Sequence, residues 1–230
     1  MRARTDPVDA PGGPARPGRP ARRRPQQARS RARVRAILDA AEHILTTDGA
    51  SALTVRRLAA EAGVPVGTLY QFFPDKQAVV DELAHRYLDE FAALTADLVA
   101  RAERERWDDP VGTLIDAFAD AYRTRPAYLA IWTGPDLSPP LRHADEANNA
   151  LIADGVRRVL VAQLGLPDDT GLLRAAQVAV QVADALLRHA FRDGADGDPH
   201  ILTELTRLLR LYLADLLNGN TPPAAPGTVP

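Results

Sequence analysis

The sequence predicts an all-α protein, with a three-helix helix-turn-helix unit near the N-terminus and a helical bundle after it, about nine helices in all. Three observations predict it. Apolar residues recur at three- and four-residue steps along most of the chain, the spacing of one helix face. No stretch of useful length alternates apolar and polar residues as a half-buried strand would. Proline, glycine and aspartate fall between the periodic runs, where helices start and stop.

Residues 1–27 come first, with six prolines, three glycines and almost no large apolar side chains. Such a segment cannot bury enough surface to offset its ordering entropy, so a disordered basic arm is expected there. The first helix is expected over residues 30–47. Val34, Ile37, Leu38, Ala41, Ile44 and Leu45 form its stripe, and Gly49 marks its stop.

Two short helical patterns follow, pinched around Gly63, Val64 and Pro65. Thr54 can cap the first of them, its hydroxyl accepting from a free N–H of the opening turn. Val55, Leu58, Ala59 and Ala62 share one face of that helix. Gly63 suits a helix stop, and Pro65 suits a helix start because its missing N–H is no loss there. Two helices joined by a three- or four-residue turn containing glycine make a helix-turn-helix.

A long helix is then expected from Asp75, its cap, to about Arg106, with Val79, Val80, Leu83, Tyr87, Leu88, Phe91, Leu94 and Leu98 on its buried side. Pro110 opens another, and Pro126 opens a short one through Trp132. Residues 133–140 read as a loop, and residues 141–164 as a helix ended by Gly165 and Pro167. The last two helices, residues 170–192 and 199–217, are apolar beyond a single face. Helices of that kind need partners on more than one side. Either they fill an intrachain core, or they pair with their copy across a two-fold axis through Leu186, Leu187, Phe191, Leu205, Leu209 and Tyr212. Residues 219–230 form a Pro-rich tail expected to be disordered. The expected divisions are thus 1–27, 28–76, 77–218 and 219–230.

The net charge of −2 hides an asymmetry. Residues 1–35 hold 11 arginines against Asp6 and Asp9, which leaves 17 basic against 28 acidic residues in the remainder. A basic end on an acidic body points to a polyanion at that end, although a solvated arginine cluster has the same composition. Arg29, Arg31, Arg33 and Arg35 crowd the first turns of a helix, where the dipole disfavours positive charge, so they do not serve the helix itself. There are no cysteines, which fits a reducing cytoplasm and leaves no disulfide or thiolate site. No apolar run approaches the ~20 residues of a membrane span, and the basic N-terminus lacks the apolar core of a secretory signal.

The residues ILDAAEHILTTDGASALTVRRLAAEAG and VPVGTLYQFFPDKQAVVDEL, in the segment from about Arg33 to Leu83, closely resemble the DNA-binding domain of the tetracycline-repressor (TetR) family of transcriptional regulators. The resemblance implies a homodimer built on the last two helices, with double-stranded operator DNA as partner. It implies that Thr54 and Tyr70 meet phosphates and that Lys76, the only lysine in the chain, touches the DNA backbone. A core aromatic is the alternative for Tyr70. Base reading then falls to Pro65, Val66, Gly67, Thr68 and Gln71. The chain departs from the common pattern at Val66, where a polar or basic residue often precedes the glycine, and at Phe72, where histidine is frequent. Only Thr68 and Gln71 can hydrogen-bond a base through a side chain, and glutamine suits adenine N6 and N7. From Thr54 to Lys76 there are three basic residues and two acids, so the motif is nearly neutral. Affinity must come from the arginines upstream.

No HExxH, GxGxxG, P-loop or GxSxG motif occurs, and the five histidines are scattered, so neither an enzyme, nor a metal site, nor a cofactor is expected. Phe118, Tyr122, Tyr128, Trp132 and His143 gather in the middle helices. They either fill the core or line a pocket for a small apolar or aromatic ligand. The resemblance implies that such a ligand shifts the separation of the two reading helices. Three readings stand at this point: a ligand-released homodimeric repressor, a DNA-binding regulator without an inducer, and a ligand-sequestering protein with a vestigial helix-turn-helix.

Overall fold

The computed structural model describes residues 23–134 and 137–217, and among these the regular structure is helical, with no strand. Residues 1–22 of the expected arm and the expected tail at 219–230 lie outside the described residues. The helices are α1 (Arg23–Asp48), α2 (Val55–Glu61), α3 (Val66–Phe72), α4 (Lys76–Ala102), α5 (Pro110–Thr124), α6 (Pro126–Trp132), α7 (Pro139–Leu164), α8 (Thr170–Ala190) and α9 (Pro199–Leu217), with one 3-10 turn at Ala50–Ala52.

Helix α1 starts at Arg23 rather than near residue 30, so the last residues of the expected arm are helical. Pro25 falls in the opening turn, where a proline is tolerated, and Gln26, Gln27 and Ala28 are good helix formers. Helix α7 starts at Pro139, two residues earlier than its apolar stripe indicates. Ser138 caps it by accepting from the Leu141 N–H at 3.3 Å. Gly165 ends it in the left-handed region at φ 66°, as its position in the sequence predicts. No described helix is long and apolar enough to cross a membrane.

Ile37, Ile44, Leu58, Leu69, Val79 and Leu83 are fully buried where α1 to α4 meet. The same core runs on through Tyr87, Phe91 and Tyr128 to Leu205 and Leu213, and α1 packs on both α4 and α6. The expected boundary near residue 76 is therefore no break in packing. At the far end of α4 a smaller cluster holds Leu98, Val99, Ala102, Leu114 and Val159. Helices α4 and α7 approach closely at Gly155, where an added Cβ would lie 2.2 Å from Thr95 Cγ2.

Four of the six residues expected in the dimer contact need correction. Leu187, Phe191, Leu205 and Leu209 are buried within this one chain, and Leu186 and Tyr212 are half-covered. They lie on the faces of α8 and α9 that pack inward, against each other and against α5 and α7. The large apolar side chains left outward on these helices are Val178, Leu208, Leu211 and Leu217.

Candidate nucleic-acid interface and interior cavity

Local chemistry sets the reading helix. Thr54 is extended and caps α2, its Oγ1 accepting from the Arg57 N–H at 3.3 Å. Gly63 turns the chain at φ 64°, and the Gly63 and Val64 N–H groups donate back to the carbonyls of Ala60 and Ala59. Pro65 then caps α3, its carbonyl accepting from the Thr68 N–H at 2.8 Å. Leu58 and Leu69 are fully buried, and Phe73 nearly so, which fixes the inner sides of both helices.

What remains outside is the surface the sequence singles out. Pro65, Val66, Gly67, Tyr70 and Gln71 are exposed, and Thr68 is half-buried. Val66 is 40% exposed and Tyr70 is 53% exposed, so Tyr70 is not a core aromatic. Thr54 and Lys76 are exposed at the first turns of α2 and α4. Asp75 caps α4, accepting from the Ala78 N–H at 2.9 Å. A Cβ on Gly67 would meet nothing within 4 Å, so nothing inside the protein requires glycine there.

The cations sort into two groups. Arg57 is engaged by Asp48, and the Thr47 hydroxyl together with Arg57 holds that carboxyl below the usual range. Arg29, Arg31 and Arg33 are exposed on α1 and make no ion pair with a described residue. Arg35, which the sequence groups with them, and Arg56, which it does not, share both properties.

The second candidate feature is an apolar cavity among α4 to α9. The centre of a water-sized sphere can visit about 100 Å³ of it. Phe118, Tyr122 and Tyr128 line it, as the sequence indicates, beside Phe91 and Ile152. Trp132 does not. It stacks on Tyr128 at 4.2 Å, outside the lining. His143 does not either, being exposed near the start of α7 with Nδ1 2.8 Å from the Pro139 carbonyl oxygen. Leu187, Leu209 and Tyr212, expected at a dimer contact, line the cavity instead.

A polar cluster closes one side. Tyr122 donates to Asp184 Oδ1 at 2.9 Å, and Arg188 donates to Asp184 at 2.9 Å and to Asp145 at 3.1 Å. Burial pushes the Tyr122 and Tyr128 phenols well up, so both stay protonated at neutral pH. It also raises the Asp145 carboxyl, against the pull of Arg188. Sequence reasoning missed these three charged residues, whose one signal was the four-residue spacing of Asp184 and Arg188 along an apolar helix. No cluster of three or more His, Asp or Glu side chains able to hold a metal occurs among the described residues.

Comparison with known proteins agrees with this geometry. Residues 37–83 match the family of bacterial regulatory proteins described as the tetR family, and residues 105–217 match the tetracyclin repressor-like C-terminal domain. An uncharacterised HTH-type transcriptional regulator of Mycobacterium tuberculosis (strain ATCC 25618 / H37Rv) is 30% identical over 167 residues, 70% of this chain and 77% of that protein. The HTH-type transcriptional repressor KstR2 of Rhodococcus jostii is 36% identical over 64 residues, 28% of this chain and 31% of that one. A TetR-family regulator of Streptomyces coelicolor has a crystal structure that superposes with a TM-score of 0.54 at 32% identity, covering 79% of this chain and 98% of that one. The regulator FadR of Bacillus subtilis, solved with stearoyl-CoA, shares the fold at a TM-score of 0.58 and 18% identity, covering 80% and 98%.

Proposed function

This chain belongs to the TetR family of DNA-binding transcriptional regulators and is not an enzyme, and from that premise we propose that it is a homodimeric repressor released from a palindromic operator by a small, largely apolar ligand. The observation that carries the reading is α3. Leu69 and Phe73 hold it from within, while Pro65, Val66, Gly67, Tyr70 and Gln71 stand free on one surface. With α3 in a major groove, Gln71 pairs with adenine and Pro65 and Val66 rest on thymine methyls. Gly67 lets the backbone come close. Thr54, Tyr70 and Lys76 hold phosphates on either side.

So few base-reading groups give modest direct readout. Specificity then leans on DNA shape and on two half-sites roughly 34–36 Å apart. Arg29, Arg31 and Arg33 supply the grip that the near-neutral motif lacks. The two-fold contact uses the outward faces of α8 and α9, around Val178, Leu208 and Leu211. The cavity holds the ligand, which acts by binding the DNA-released state more tightly than the DNA-bound one. The stearoyl-CoA complex of the Bacillus subtilis protein, with its long apolar tail, supports a ligand role for this fold. The protein works in the cytoplasm, where its DNA is.

A gel shift against DNA upstream of its own gene tests the reading. The wild type retards the fragment, and a Thr54→Ala/Tyr70→Ala variant does not. Equal retardation by both, or none by the wild type on this or neighbouring promoters, sinks it.

A further inference from the structure

The cavity is apolar over most of its wall, and apart from the Tyr122, Tyr128 and Tyr212 phenols its polar lining gathers at one level of α7 and α8. Asn148 and Asn149 line it from α7, and Asp184 lines it from α8. These helices run antiparallel, because Arg188 near the end of α8 reaches Asp145 near the start of α7. One turn along from that pair, forward on α7 and back on α8, lie the two asparagines and Asp184 at matching height.

Asp184 is already engaged by Tyr122 and by Arg188, whose Nη2 lies 2.7 Å from Oδ2. Asn148 is not. It is only 7% exposed, yet its amide has no hydrogen bond to any described residue. Native proteins rarely leave so buried an amide without a partner. The side-chain polar atoms that are both sealed and unpaired, among the described residues, are Arg86 Nε, Trp132 Nε1 and Asp145 Oδ1. Asn148's amide is thus unpaired but still reachable, and the space that reaches it is the cavity.

We infer that Asn148 is the polar anchor for the effector, and that the effector is a mostly apolar molecule carrying one uncharged hydrogen-bonding group: a hydroxyl, ketone or amide. This rests on the cavity being the effector site. An amide offers both two donors and an acceptor, so it pairs with any of these groups. The charge of Asp184 is held by Arg188, and no free cation lines the wall. A ligand carboxylate or ammonium would therefore lose its hydration with nothing to replace it.

Calorimetry and thermal melting of the full chain at pH 7 with 1-octanol, octanoate and octylamine test this on the wild type, Asn148→Leu and Glu146→Gln, the last an exposed residue of α7 outside the cavity wall. Octanol should bind the wild type at least about tenfold more tightly than either charged analogue, and Asn148→Leu should lose about tenfold in octanol affinity, roughly 1.4 kcal/mol. Glu146→Gln should leave octanol affinity unchanged. Should Asn148→Leu fail to fold, Asn148→Ala carries the same test. Unchanged octanol affinity in the folded Asn148 variant, as when a water alone satisfies the amide, overturns the anchor while leaving the effector site intact. So does a charged analogue binding as well as octanol. If none of the three binds the wild type, the effector site itself fails, and the anchor with it.

Discussion

Tyr87 on α4 donates its phenolic O–H to Glu42 Oε1 on α1 at 2.7 Å, while its ring meets Tyr128 edge-on at 6.2 Å. Tyr128 lines the cavity, so one side chain joins the cavity wall to the helix that bears the free arginines. Arg86 grips the same Glu42 and reaches Asp39 at 3.4 Å. Tyr87→Phe keeps the ring and removes the donor, leaving a part-buried carboxylate oxygen unsatisfied. Stability should fall by about 1–2 kcal/mol in urea unfolding. An unchanged midpoint at unchanged slope contradicts this, and leaves the contact between α1 and α4 to packing and the Arg86 ion pairs.

Gly67 separates stability from recognition. A methyl group there enters open space, so Gly67→Ala should stabilise the free protein by roughly 0.5–1 kcal/mol through helix propensity. Against DNA the same methyl stands between backbone and groove. Affinity should fall about tenfold, some 1.4 kcal/mol, by fluorescence anisotropy. A variant that is more stable and binds DNA as well as the wild type places the DNA elsewhere.

Leu211 and Leu205 make a contrasting pair on α9. Leu211 is 62% exposed and Leu205 fully buried. Leu211→Glu should yield folded monomer in sedimentation velocity, whereas Leu205→Ala should cost about 2–5 kcal/mol of stability. Persistence of the dimer in Leu211→Glu moves the two-fold contact off this face.

Burial raises the Asp145 carboxyl above its ordinary value near 3.8, so the folded state resists its ionisation. A raised carboxyl contributes stability below the unfolded value and loses it as pH climbs through the folded one. Asp145→Asn does not titrate. Relative to wild type it should gain stability between pH 4 and pH 7, and melting curves at those two values decide the sign. A relative loss over the same range makes the Arg188 contact, not burial, the dominant influence.

The parts legible in the sequence are those that local chemistry decides. Thr54, Gly63 and Pro65 punctuate α2 and α3 through their own backbone preferences, and Leu58 and Leu69 recur at the expected phase. The structure follows them closely. Helices α8 and α9 are harder because each is apolar beyond a single face. Periodicity alone does not say which face meets this chain and which is left outward, so it leaves Leu187 and Leu209, which this chain buries, open to either role. Asp184 and Arg188 went unmarked in the sequence, since the group that completes them, Asp145, lies 39 and 43 positions away. His143 falls outside the cavity because it sits on the exposed side of the first turns of α7, opposite the buried Leu141.

The central claim is that α3 reads while the arginines of α1 grip. Salt dependence of DNA affinity tests it most directly, using wild type, Arg29→Ala/Arg31→Ala/Arg33→Ala and Gln71→Ala on the same upstream fragment. Each phosphate contact contributes about 0.9 to the slope of log affinity against log salt, so the triple variant should bind more weakly with a slope shallower by up to about 2.7. Gln71→Ala should keep the wild-type slope and lose discrimination between cognate and scrambled DNA. A triple variant with the wild-type slope would contradict the account.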